Sequence, residues 1–162
     1  MISITRLFDF PYYQLENFTI SDALVTKQDG KWIKTSTQEY IAKANAISRA
    51  LVQIGVQKND KIAIISSNNR TEWHITDIGA LQTGAQTVPI YPTITAEDYE
   101  YILNHSESSF CFVSDQEVYD KLKSVQANIP LLKEIYAYNA ISGCKSWTDI
   151  LELGADSSNQ EA

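Results

Sequence analysis

The residues able to do chemistry in this chain are few and scattered. His74 and His105 are its two histidines, Cys111 and Cys144 its two cysteines. Neither histidine has a Cys or second His at metal-ligand spacing, so no zinc-type site is written in the sequence. His74, beside Trp73, reads as a surface or half-buried side chain. His105 falls near the end of a helical stretch, where a charged imidazole would favour the helix dipole. Cys111 lies in an apolar run and reads as a reduced core thiol, and the two cysteines lack CxxC spacing. Glu97, Asp98 and Glu100 form a small acidic cluster. They occupy a first helical turn, where negative charge stabilises the helix itself, so general acid–base work is not their first reading.

Phosphate-cradling loops are missing too. Gly30, Gly55, Gly79, Gly84, Gly143 and Gly154 are too dispersed for GxGxxG or GxxxxGK[ST]. GxSxG and HExxH do not occur. The residues therefore describe a domain without catalytic equipment or a cofactor site of its own.

The elements that must carry these residues come next. Three apolar runs, 61–66, 87–91 and 109–113, alternate with amphipathic stretches at 70–83 and 96–104. That rhythm predicts βαβ units and a mainly parallel sheet with helices on both faces. Ile62, Ile64, Val88, Ile90, Phe110 and Phe112 should be buried. Pro89 cannot donate to a ladder and marks an edge or strand end. Gly79 and Gly84 cost helix propensity and suggest a helix lying close to the sheet. Upstream, Asp29-Gly30 between 22–27 and 31–35 predicts a hairpin with a type I′ turn. Ser36 and Glu39 have capping-box spacing, with Gly55 as the stop of the helix they open. Thr95 and Asp98 repeat the box. Downstream, Val118, Leu122 and Val125 predict another helix, 133–138 a strand and 147–153 a short helix behind Ser146. Residues 1–20 show apolar residues without a clean period and read as an arm, 21–155 as the α/β unit, and 156–162 as a frayed tail.

Composition excludes several partners. Of 162 residues, 44% are apolar and 20% charged, which is ordinary for a globular domain. A net charge of −7 argues against nucleic acid or an anionic membrane, since both call for clustered Lys and Arg. No run approaches the ~18 apolar residues of a membrane span. The N-terminal MISITRLFDF is too short and broken for a secretory leader. A cytoplasmic protein is expected.

An ordered set of motifs adds a resemblance. STQEY (36–40), GVQKNDKIAII (55–65), NRTEW (69–73), GAQTVPIYPT (84–93), YILNHSE (101–107) and FVSD (112–115) follow one another. Together they resemble the N-terminal part of acyl-CoA synthetases of the adenylate-forming, AMP-binding superfamily, and bacterial long-chain-fatty-acid–CoA ligases in particular. Asn59 stands where that family usually has glycine. The resemblance implies an incomplete N-terminal subdomain of the adenylate-forming fold. The parent would join a fatty acid to CoA with ATP and Mg²⁺, through an acyl-adenylate. Its TSGTTG phosphate loop, adenine and ribose contacts and C-terminal lysine are not in this sequence. The chain then reads as a non-catalytic scaffold whose partner is the remainder of the ligase, with self-association through the uncovered surface, around the arm or the 147–153 helix. A free-standing α/β module of the same ancestry and a fragment of another adenylate-forming enzyme are the alternatives. By position in the resemblance, Thr93, Ile94, Tyr119 and Lys121 are CoA-proximal, Lys121 being suited to the 3′-phosphate.

Overall fold

The computed structural model describes residues 4–18, 20–28 and 30–156. Strands β1 (Leu24–Gln28) and β2 (Lys31–Thr35) form the expected antiparallel hairpin, with Gln28 opposite Lys31. Gly30 has φ +78°, as a tight turn requires. Asp29, the other turn residue, lies outside the described residues, as does 157–162 of the expected tail. Helix α2 (Thr37–Gln53) opens on a complete capping box. Ser36 Oγ accepts from Glu39 N (3.2 Å), and a Glu39 carboxylate oxygen accepts from Ser36 N (2.8 Å).

Then follow β3 (Lys61–Ile65), α3 (Thr71–Gln82), β4 (Gln86–Ile90), α4 (Ala96–Ser106), β5 (Ser108–Val113), α5 (Gln116–Val125), β6 (Glu134–Ala137), β7 (Lys145–Ser146) and α6 (Trp147–Leu153). The five strands form one sheet in the order β4-β3-β5-β6-β7, and each neighbouring pair is parallel. Alternate side chains of each strand feed two cores. Ile62, Ile64, Phe110 and Phe112 pack with residues of α2, α3 and α6 on one face. Ala63, Ile65, Cys111 and Val113 pack with α4 and α5 on the other. Helices thus cover both faces.

Four expectations change. Val88 is only partly buried, because β4 is an edge strand; Pro89 sits there beside Ile64. Gly79 does bring α3 close to a neighbour, but that neighbour is α2, not the sheet. A Cβ at Gly79 would lie 2.8 Å from both the Ala44 carbonyl oxygen and Ile47. Gly84 is a turn residue at φ +78°. The arm contains a helix, α1 (Asp9–Asn17), held on α2 by Tyr12 Oη donating to Asn45 Oδ1 (2.6 Å) and Thr37 Oγ1 to Gln14 Oε1 (2.8 Å). Its outer residues Leu7, Phe10 and Phe18 are exposed, as is Trp32 on the hairpin, whereas Trp147 and Ile150 of α6 are buried.

Candidate functional site

The carboxyl ends of the strands hold two polar constructions. The first is the turn after β4, where two of the expected residues meet a third. Lys121 Nζ donates to the carbonyls of Pro92 (2.8 Å) and Ile94 (3.1 Å). Tyr99 Oη also donates to Pro92 O (2.8 Å), and Lys121 Nζ lies 5.4 Å from the Tyr99 ring centroid. The Thr95–Asp98 capping box fixes the far side of the turn. Burial, first of all, pushes the Tyr99 phenol up to about 12, so it stays a donor. Thr93 projects from this turn as an exposed side chain, and Ile94 packs partly on the second core.

Tyr119 is not brought there. Its hydroxyl donates to Gly143 O (2.6 Å), and the residue is buried in the second core. Two residues along a helix turn a side chain by roughly 200°. Tyr119 and Lys121 therefore leave α5 in nearly opposite directions.

The second construction lies between β3 and β5. The connection from β3 runs through α3 on one face, and that from β5 through α5 on the other. Such a switch point opens a crevice at the carboxyl ends of the strands, the usual ligand position in open α/β sheets. Here the protein's own side chains close it. Asp115 accepts from Ser67 Oγ (2.8 Å), Ser114 Oγ (2.6 Å) and Val118 N (3.1 Å). Burial pushes its carboxyl up, but these hydrogen bonds outweigh it and hold the group below its ordinary value. Arg70 forks onto Glu72 (3.0 Å twice) and donates to Ser114 O (3.3 Å) and Asn139 Oδ1 (3.1 Å). Its guanidinium lies 5.0 Å from the Tyr138 ring centroid. No histidine enters this network, and the one Asp115 carboxylate is shared between both serine hydroxyls. The network ties together the three segments that follow β3, β5 and β6. Sequence reasoning missed it as a site, although the polar runs just after β3 and β5 were its visible signal.

His74 is exposed, and His105 stacks on Tyr101 with ring centroids 5.7 Å apart. Among the described residues, no three His, Cys, Asp or Glu side chains come together as metal ligands.

Residues 14–159 match the AMP-binding enzyme family. The chain belongs to that family. Among its relatives, a long-chain-fatty-acid–CoA ligase of Xenopus laevis is 30% identical over 139 residues, 83% of this chain and 19% of that protein. A long-chain-fatty-acid–CoA ligase of Mycobacterium bovis is 32% identical over 78% of this chain and 21% of its own length. The chain thus spans about a fifth of the curated relatives it matches. The fold agrees. An anthranilate CoA ligase in complex with anthranoyl-AMP superposes over 90% of this chain with a TM-score of 0.74 at 23% identity, covering 26% of that structure. A red-emitting luciferase of Phrixothrix hirtus superposes over 94% of this chain with a TM-score of 0.78 at 19% identity, covering 28% of its chain. No helix among the described residues is long and apolar enough to cross a membrane.

Proposed function

We propose that this chain is the N-terminal, non-catalytic part of an ATP-dependent long-chain fatty acid–CoA ligase. Such a ligase converts fatty acid, ATP and CoA to acyl-CoA, AMP and pyrophosphate. The observation that carries the reading is the pairing of identities near 30% to fatty-acid–CoA ligases with a span of only a fifth of their length. Residues 1–20 are its arm, 21–155 its first subdomain and 156–162 a tail. The two free thiols accord with a reducing, cytoplasmic setting.

Adenylation needs charge stabilisation that these residues do not assemble. Attack of a carboxylate on the α-phosphate brings two anions together, and preorganised donors must meet that charge. Losing even one such donor can cost ~10²–10³ in rate. Among the described residues the glycines lie in separate turns and helices, which supports placing the triphosphate cradle elsewhere in the parent. Those contacts belong to the remainder of the parent. CoA fits better. Lys121 spends two of its three N–H donors on Pro92 and Ile94, leaving one donor and a full charge beside the exposed Thr93. A single phosphate oxygen of CoA suits that arrangement. The apolar side chains open on α1 and the hairpin are where the rest of the ligase would pack, and where the chain alone would self-associate.

The test is ATP–pyrophosphate exchange with palmitate, Mg²⁺ and labelled pyrophosphate. The expected result is no exchange above background from this polypeptide. Turnover that persists after contaminating host ligase is removed would overturn the non-catalytic reading. A stop codon directly after Ala162 in the gene, with no in-frame TSGTTG beyond it, would overturn the fragment reading.

A further inference from the structure

We propose that the outer edge of β2 is a self-recognition strand. Two copies of this chain pair there, antiparallel and about a two-fold axis through Ile33, so that their two hairpins make one continuous sheet. This names the strand and the register for the self-association raised above. It rests on the hairpin's own residues, so it stands or falls separately from the fragment reading.

Exposure is the first argument. Lys31, Trp32, Ile33 and Lys34 are all exposed, Trp32 at 66% and Ile33 at 47%, although these two are large and apolar. β1 and β2 form a sheet of only two strands. β1 is tied to the body of the domain: Thr26 Oγ1 accepts from Thr71 N (2.9 Å), and Leu24 packs on the first core. β2 is paired to β1 and meets the body at buried Thr35. A two-stranded hairpin is marginal in water, and an exposed apolar edge is a template for a further strand.

Backbone direction is the second argument, and it selects the partner. The tight turn at 29–30 makes Gln28 and Lys31 a hydrogen-bonded pair. Bonded and non-bonded pairs alternate along an antiparallel ladder, so Thr26 and Ile33 are bonded and Ile33 turns its N–H and C=O inward to β1. Trp32 and Lys34 turn theirs outward. Among the described residues, no backbone bond from outside the hairpin reaches either. Two copies can therefore bond only where an outward residue faces an outward residue. Lys34 against Lys34 of the second copy opposes like charges, which is destabilising. Trp32 against Trp32 of the second copy draws Gly30, at φ +78°, into the ladder opposite Lys34. Trp32 against Lys34 of the second copy has neither fault. It overlaps the whole strand, sets Ile33 against Ile33 on the axis and Lys31 against Thr35, and no lysine stands directly opposite a lysine. The Lys34 ammonium stays with Asp22 (3.3 Å), so its methylene stem is what covers the opposing indole. A contact confined to the hairpins buries less than the ~1,200 Å² of stable interfaces, so the dimer is weak and reversible.

The experiment is sedimentation equilibrium of the purified chain from about 10 μM to about 1 mM, the range suited to a weak interface. A reversible monomer–dimer equilibrium is expected. Ile33→Lys sets two lysines face to face on the axis and should weaken the dimer roughly tenfold. Lys34→Pro removes an outward N–H while sparing the ladder to β1, and should do the same. Phe10→Ser, on the open face of α1, should leave the equilibrium unchanged. All three residues are exposed, so thermal unfolding serves as the folding control. Register is read by cross-linking. Cα atoms of a non-bonded pair lie about 4.5 Å apart, within disulfide reach, so mild oxidation of Ile33→Cys should give a covalent dimer. Lys31→Cys, equally exposed but far from its own copy in this register, should not. A monomer at every concentration, association unaltered by Ile33→Lys, association lost in Phe10→Ser, or equal cross-linking of the two cysteine variants would overturn the proposal.

Discussion

Arg70→Met tests whether the network at the switch point is structural. The Arg70 side chain is 10% exposed and Glu72 23% exposed, with both guanidinium–carboxylate bonds at 3.0 Å. Removing one partner of a buried pair costs about 3–5 kcal/mol; the residual hydration of Glu72 lowers the expectation to about 2–3 kcal/mol. Methionine keeps the apolar contact with the Tyr138 ring but drops the bonds to Ser114 and Asn139. Urea unfolding at pH 7, followed by tryptophan fluorescence, reads the loss. The pH dependence is the sharper test. Burial is the largest influence on Glu72 and pushes its carboxyl up. The Arg70 hydrogen bonds and charge, with the Glu72 backbone amide and Lys43, outweigh it and leave the group below its ordinary value. A depressed carboxylate contributes stability above its unfolded value of ~4.3, lost as pH falls through the folded value. In Arg70→Met burial prevails, the carboxyl rises above the unfolded value, and its contribution reverses sign. The gap between wild type and variant should therefore narrow from pH 7 towards pH 4. A loss under about 0.5 kcal/mol, or a gap independent of pH, would refute the clamp.

Three further outcomes follow from packing and burial. A Cβ at Gly154 would stand 1.8 Å from the Ala46 carbonyl oxygen, so Gly154→Ala must lift α6 off α2; a loss of about 3 kcal/mol is expected in thermal or urea unfolding. Tyr138→Phe should be neutral or stabilise by about 1 kcal/mol, because the buried hydroxyl finds no well-aligned partner while the ring contacts with Phe112 and Trp147 remain. Burial, first of all, pushes the Cys111 thiol up, and the Cys144 thiol up to about 11. Neither should react with iodoacetamide at pH 7 in the native state, and both should react in urea, as mass spectrometry would read.

Local signals were the legible ones. The boxes at Ser36 and Thr95 place donor and acceptor three residues apart, and a short continuous apolar run such as Lys61–Ile65 marks a strand buried on both faces. Strand ends moved by a residue because ladder pairing, not hydrophobicity, sets them. Helix α1 escaped notice for a different reason. Pro11 is its third residue, its apolar residues keep no single face, and its anchors Asn45 and Thr37 lie more than twenty residues away. Strand β7 is two residues long, and its pairing to Tyr136 and Ala137 exists only in the assembled sheet. The Asp115–Ser67–Arg70–Asn139 network likewise spans the ends of three strands and has no local spacing to detect.

The Lys121 turn shows how far a position in a motif can be carried. Place along the chain brought Thr93, Ile94, Tyr119 and Lys121 into one neighbourhood, but place along a helix also fixes direction. At roughly 100° per residue, α5 can aim only one of its two candidates at the turn. Lys121 takes that direction because two carbonyls at the turn after β4 accept its ammonium, and Tyr99 adds a third bond to the same backbone. Tyr119 takes the opposite one and closes on Gly143. The turn is thereby held on its protein side, while Thr93 and one lysine N–H stay open. An anion arriving there meets a donor whose position is already fixed, so little further ordering is required on binding. That arrangement fits the proposed docking edge for a phosphate: two lysine donors fix the turn, and the third, with its charge, remains for an anion.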